Sequence, residues 1–153
     1  MKALSLTPYW ALMVMLWEKK IEVRTWQTDY RGDILICASS RKESGCISGK
    51  ALCVVELTDI EPLREEHLEA AMMEEMPDKK SYAWRFQNLQ WVEPFDVKGQ
   101  LHLFEVPDEK IEYIEAETDE EYFQNLREKF LPLVYFARGD EEAHELWDWI
   151  LQQ

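Results

Sequence analysis

Lys19, Glu22 and Arg24 place an ammonium, a carboxylate and a guanidinium within the stretch Lys19-Lys20-Ile21-Glu22-Val23-Arg24. A guanidinium can grip a phosphate or carboxylate through two parallel hydrogen bonds, and a lysine supplies a point charge whose pKa falls when it is desolvated. A carboxylate between them can orient either cation or accept a proton. Anion binding and acid–base catalysis are therefore both open to this set. Taken alone, such a triplet is more often a solvated strand edge, because charges on exposed strand faces are commonplace. The neighbouring residues have to decide.

Ile21, Val23 and Thr25 alternate with Glu22, Arg24 and Trp26, the period of a strand with one charged face and one core face. After the turn at Asp29-Tyr30-Arg31-Gly32, the short apolar run Ile34–Ala38 suits a strand covered on both sides. Upstream, Lys2–Leu6 alternates as a first strand closed by Thr7-Pro8. A helix from about Tyr9 to Trp17 then puts Ala11, Leu12, Met15 and Leu16 on one face and delivers Lys19 to the charged strand. Further strands are expected at Leu52–Leu57, ending near Asp59 and Pro62, at Tyr82–Phe86, and at Gln100–Val106 after the Lys98-Gly99 turn. Arg64–Met76 is rich in helix formers and stops before Pro77, so it reads as a helix.

The charged strand and the residues after it resemble the ASCH domain family, whose hallmark GxKxxExR is followed by a tryptophan, an Arg-Gly pair, an apolar strand and an Ala-Ser. Lys19, Glu22 and Arg24 match the hallmark in spacing, and Trp26, Thr28, Tyr30, Arg31, Gly32, Ala38 and Ser39 match the family's downstream residues. The stretch Asn88–Phe95 resembles a second family signature, so the resemblance covers about residues 1–107. Two departures stand out. The family glycine falls at Trp17, where the turn must be made without glycine's freedom at positive φ. The family's Gln-Pro-Trp-Ala is here Pro8-Tyr9-Trp10-Ala11.

The resemblance implies a mixed α/β (α+β) fold: a PUA-like, partly closed β-barrel of five or six mostly antiparallel strands with flanking helices. It implies RNA or a modified nucleotide as partner, bound by Lys19, Glu22, Arg24, Trp26, Arg31 and Ser39. If the protein is an enzyme, Lys19 and Glu22 are its catalytic candidates. Some small relatives are acetylcytidine amidohydrolases and others are reported as ribonucleases. In the hydrolases a threonine nucleophile occupies the place of Glu22, and a further carboxylate matches only loosely to Glu74 or Glu75. Amide hydrolysis is therefore the runner-up, and ribonuclease activity stays open.

Unpaired bases are held by aromatic faces as well as by hydrogen bonds, which makes Trp26, Tyr82 and Trp84 stacking candidates. Aromatics at strand spacing are more often core, so at least one of Tyr82 and Trp84 is expected inside, and Trp26 is the better candidate.

The chain of 153 residues is the length of one ordinary domain, and 46% apolar residues with seven tryptophans suffice for a core. No apolar run is long enough to cross a bilayer and the N-terminus lacks a signal-peptide pattern, so a cytoplasmic protein is expected. Cys37, Cys46 and Cys53 form no CxxC pair, and His67, His102 and His144 have no ligand spacing. Neither a metal nor a cofactor is expected, and Cys37 should be buried as a small hydrophobe.

A net charge of −14 opposes indiscriminate nucleic-acid binding. The acid is unevenly placed, however: residues 1–52 hold eight Lys or Arg against five Asp or Glu. A locally basic cleft on an acidic body suits a nucleotide-sized anion or an RNA end better than a long duplex. Most of the excess acid lies later, and residues 108–153 read as an acidic linker followed by two helices packed on the domain of residues 1–107. These run from about Asp119 to Phe130 and from Asp140 to Leu151, with Tyr122, Phe123, Leu126 and Phe130, then Ala143, Leu146, Trp147 and Ile150, on their apolar sides. Those faces need a partner, which is either the barrel, a second copy in a homodimer, or another protein.

Overall fold

The run Ile34–Ala38 lies inside a six-stranded sheet, every residue of it fully buried. The computed structural model describes residues 1–152. In it β3 (Gly32–Ala38) runs parallel to β1 (Lys2–Leu6) and antiparallel to β4 (Lys50–Pro62). Beyond β4 come β5 (Tyr82–Asp96) and then β2 (Ile21–Arg24), while the far side of β1 takes β6 (Phe104–Glu105). The order β2-β5-β4-β3-β1-β6 has one parallel pairing, and its two ends do not join. The protein is therefore α+β, with a mostly antiparallel and incompletely closed barrel. Side chains alternate across it: Leu4, Ile34, Ile36 and Val55 enter the main core, and Ala3, Leu35, Cys37 and Val54 a smaller one.

The expected strand at Tyr82–Phe86 and the stretch Asn88–Phe95 turn out to be one long strand. Three register shifts between β4 and β5 let it bend, and one is accommodated at Asn88, which adopts φ 55° and donates Nδ2–H to Glu56 Oε1 at 2.6 Å. Asparagine tolerates the left-handed region, so a bulge replaces a break.

Helix α1 (Pro8–Met15) begins at proline, as expected, but Ala11 through Met15 are all buried, so it has no solvent side. It shares the main core with Leu126, Phe130, Trp147 and Ile150 of the C-terminal helices. Those helices are α3 (Asp119–Asn125), continued by a π-helical turn to Phe130, and α4 (Glu141–Gln152). Trp91 anchors them. Its indole N–H donates to Met15 O at 2.8 Å, and its ring lies 4.3 Å from Tyr122 and 5.1 Å from Phe130, centroid to centroid. Trp147 donates to Gly45 O at 2.7 Å.

Two expected elements are shorter. The helix over Arg64–Met76 reduces to a 3₁₀ turn (Glu65–His67) and α2 (Leu68–Ala71), ended by Met72 at φ 58°. Tertiary partners override propensity here: Lys19 Nζ takes the Ala71 carbonyl and the Lys20 N–H takes that of Ala70. The strand over Gln100–Val106 survives only as β6, because just Lys2 and Ala3 of β1 pair with it. The preceding loop turns at His102, φ 60°, and leaves Leu101 88% exposed.

At the far end of the β4–β5 pair, buried His67 accepts the Arg64 N–H on Nδ1, which leaves Nε2–H to donate to Glu61 Oε1 at 2.9 Å. Arg85 and Arg64 also bind Glu61, and these hydrogen bonds, that of Arg85 foremost, hold its pKa down at about 2. All three cysteines are buried and unpaired, and burial pushes the Cys37 and Cys46 thiols up to about 12. No helix among the described residues is long and apolar enough to cross a membrane.

Candidate functional site

Lys19 follows a turn of unusual backbone. The chain leaves α1 through Trp17 at φ 63°, the left-handed turn for which the hallmark supplies glycine. Here Leu16, Trp17 and Glu18 donate their N–H groups to Leu12, Val14 and Met13 carbonyls, which fixes the turn despite the Cβ. Trp17 so placed aims the Lys19 side chain inward, and only 4% of it is exposed.

Read alone the triplet would be a solvated strand edge, whereas the family pattern around it makes a ligand-facing cleft the expectation. The structure buries Lys19 and Glu22 and leaves Arg24 partly exposed. Lys19 Nζ donates to Ala71 O at 2.7 Å, lies 3.6 Å from Glu22 Oε1, and sits over the Trp10 ring at 4.7 Å. Burial lowers the Lys19 pKa from its ordinary value, and this outweighs the opposing pull of Glu22; Arg24 adds a smaller lowering. Glu22 alone would keep this lysine a firm cation, and desolvation is the stronger effect.

Glu22 is the hub. Oε1 accepts the Val23 N–H at 3.1 Å besides facing Lys19, and Oε2 accepts Nε–H of Arg24 at 2.9 Å and forms an ion pair with Nη2 at 2.8 Å. Arg24 Nη2 reaches Ser5 O at 3.1 Å, and Nη1 has no protein partner among the described residues. With one edge of the guanidinium given to Glu22, Arg24 meets a ligand through Nη1. The two-pronged grip expected of a free arginine would need Glu22 or Ser5 to let go.

Two cavities meet at Arg24 and Ser5. The inner one, about 470 Å³, is walled by Thr7, Trp10, Lys19, Glu22, Val23 and Met73. The outer one, about 420 Å³, is walled by Trp26, Ser39 and Ser40 and by the loop Lys98–His102. Of the residues singled out from the sequence, Lys19, Glu22 and Arg24 therefore line the inner cavity, and Trp26 and Ser39 the outer. Arg31 lines neither; its Nη1 donates to Thr28 O and Tyr30 O, tying the loop before β3. Trp84 is fully buried and donates to Trp26 O at 3.3 Å, so it supports the site from behind, while Tyr82 is half-buried. Glu74 and Glu75 lie on an exposed bend beyond the end of α2, and the neighbouring Met73 lines the cavity in their stead.

Ser5, Met73, Lys98 and His102 were missed by sequence reasoning. Ser5 and the Lys98–His102 loop become neighbours only because β6 pairs with β1, which no local pattern announces. Gly99 carries a trace of it: a Cβ there would lie 2.5 Å from Ser5 Oγ. His102 sets its ring edge-on to Trp26, 4.6 Å between centroids.

The family model described as the ASCH domain matches residues 4–128. Among solved structures, an ASCH protein from Zymomonas mobilis superposes with a TM-score of 0.56 at 16% identity, over 71% of this chain and 89% of that one. A mutant of the Zymomonas mobilis protein gives 0.55 at 16% identity, over 71% and 91%. At such identities the likeness speaks for the fold. No curated protein matches the chain.

Proposed function

This chain belongs to the ASCH domain family, whose PUA-like fold is linked to RNA binding, and we propose that it binds RNA or a modified nucleotide in the cleft around Lys19, Glu22 and Arg24. One observation carries the reading: on a protein of net charge −14, the inner cavity presents two cations against one carboxylate, and Arg24 keeps an uncommitted Nη1 at its mouth. A cation held by a carboxylate behind it is pre-organised for an anion in front, because its rotamer is already fixed. The aromatic rings of Trp10 and Trp26 flank the same point and offer faces or edges to a base.

Titration of a short single-stranded RNA against the native protein and Arg24→Lys tests the reading. Lysine keeps a charge beside Glu22 but loses the rigid fork, so affinity should fall about tenfold or more. Binding should also weaken steeply with salt as phosphate contacts release counterions. Equal affinities, or salt-independent binding, would overturn it.

Hydrolysis of a modified nucleoside is the second reading, favoured by one fact: burial shifts Lys19 toward the range in which an amine takes up protons from a substrate. Against it, Glu22 stands where the related hydrolases have threonine, and both its oxygens are engaged. Chromatographic release of cytidine from acetylcytidine separates the two. Robust Lys19-dependent release by the native protein would establish the second reading.

A further inference from the structure

Building on the proposed nucleotide-binding role, we infer that the site takes two nucleotides joined by a phosphodiester, one in each cavity, with the linking phosphate on Arg24. The geometry is bipartite. Each cavity falls within the roughly 300–1,000 Å³ of ordinary small-molecule sites, and the two share Arg24 and Ser5 as a common wall. A ligand filling one alone would leave the other vacant across that wall.

The charges suit a phosphodiester. Lys19 and Arg24 against Glu22 leave one net positive charge around the inner cavity, with Arg24 at the wall shared with the outer one, the complement of a phosphodiester monoanion. Arg24 has Nη1 for a phosphate oxygen, and its other edge is held by Glu22. The outer cavity adds Lys98 and no carboxylate, so it too tolerates a polyanion's continuation.

The two walls differ as two subsites would. Inside, Trp10 offers little free face because Lys19 Nζ covers one side at 4.7 Å, and Val23 and Met73 leave an apolar slot beside the Thr7 hydroxyl. Outside, Trp26 and His102 stand edge to face, with the hydroxyls of Ser39 and Ser40 alongside. One base enters a slot walled by buried and half-buried side chains, and the next lies on an aromatic corner whose loop, Lys98 to His102, is mostly exposed. Because that loop is exposed, further nucleotides can continue outward, which makes single-stranded RNA the substrate class rather than a free nucleotide.

Calorimetric titration of UpU, CpC, ApA and GpG against the matching nucleoside 3′-monophosphates tests this on the native protein and on Lys98→Ala/His102→Ala. Both substituted residues are exposed and sit on a loop outside the sheet. At least one dinucleotide should bind tenfold or more tighter than its mononucleotide, and the double variant should bring that ratio toward one. Equal binding of mono- and dinucleotides by the native protein, or a ratio the variant does not move, would overturn the two-subsite arrangement while leaving nucleotide binding standing. Binding of none of the eight compounds would overturn both.

Discussion

Oε2 of Glu22 accepts a hydrogen bond from Arg24 Nε at 2.9 Å and forms an ion pair with Nη2 at 2.8 Å, while its other oxygen faces Lys19 at 3.6 Å. The carboxylate thus holds one cation within reach of a ligand and one beneath it. Glu22→Gln should leave both cations short of a counter-charge in a buried setting, at a cost of about 3 kcal/mol, the lower end for a broken buried pair because Arg24 is partly exposed. Urea unfolding of the two proteins measures it. A change below about 1 kcal/mol would show that solvent already screens the trio.

Trp17 occupies the left-handed region at φ 63°. Trp17→Ala keeps the Cβ strain and loses the ring, whereas Trp17→Gly loses the ring and relieves the strain. The glycine variant should therefore be the more stable of the two by about 1 kcal/mol. Equal or reversed stabilities would mean that the turn carries no strain.

Glu61 is held at about 2 by Arg85, Arg64 and His67, below its ordinary value of 4.5. A carboxylate with a depressed folded pKa contributes stability present above the unfolded value and lost as pH falls through the folded one. Its contribution should therefore fade between pH 4.5 and about 2. Glu61→Gln should flatten the stability profile in that window, as thermal unfolding across the pH range would show. An unchanged acid slope would assign the loss to other carboxylates.

The apolar run Ile34–Ala38 and the triplet at Lys19, Glu22 and Arg24 were legible in the sequence because strand periodicity and residue spacing are local. The burial of Lys19 was not, since it depends on Ala71 O and Trp10 arriving from distant segments. The same physics hid the shortening of α2: Arg64–Met76 has helix-forming composition, but its last carbonyls are spent on Lys19 and Lys20. Arg31 matched the family pattern through a structural duty, bonding its own loop, and the outer cavity's Lys98 and His102 needed the β1–β6 pairing to be placed.

Leu126, Phe130, Trp147 and Ile150 are buried in the main core, each worth roughly 1.5–3 kcal/mol if fully transferred from water. A fragment ending at Pro107 should accordingly be insoluble or markedly less stable than the whole chain. Chemical denaturation of a 1–107 fragment checks it, and a soluble fragment of equal stability would make the C-terminal helices a tethered appendage.

The claim that the cleft at Arg24 receives RNA is tested most directly by following the tryptophan indole and backbone amide signals in ¹⁵N NMR as a short single-stranded RNA is added. The indoles of Trp10 and Trp26, which line the two cavities, should shift together with the amides of Ser5 and Arg24. Those of Trp91 and Trp147, bonded inside to Met15 O and Gly45 O, should stay in place. Shifts confined to surfaces away from Arg24, or none at RNA concentrations well above that of the protein, would contradict the account.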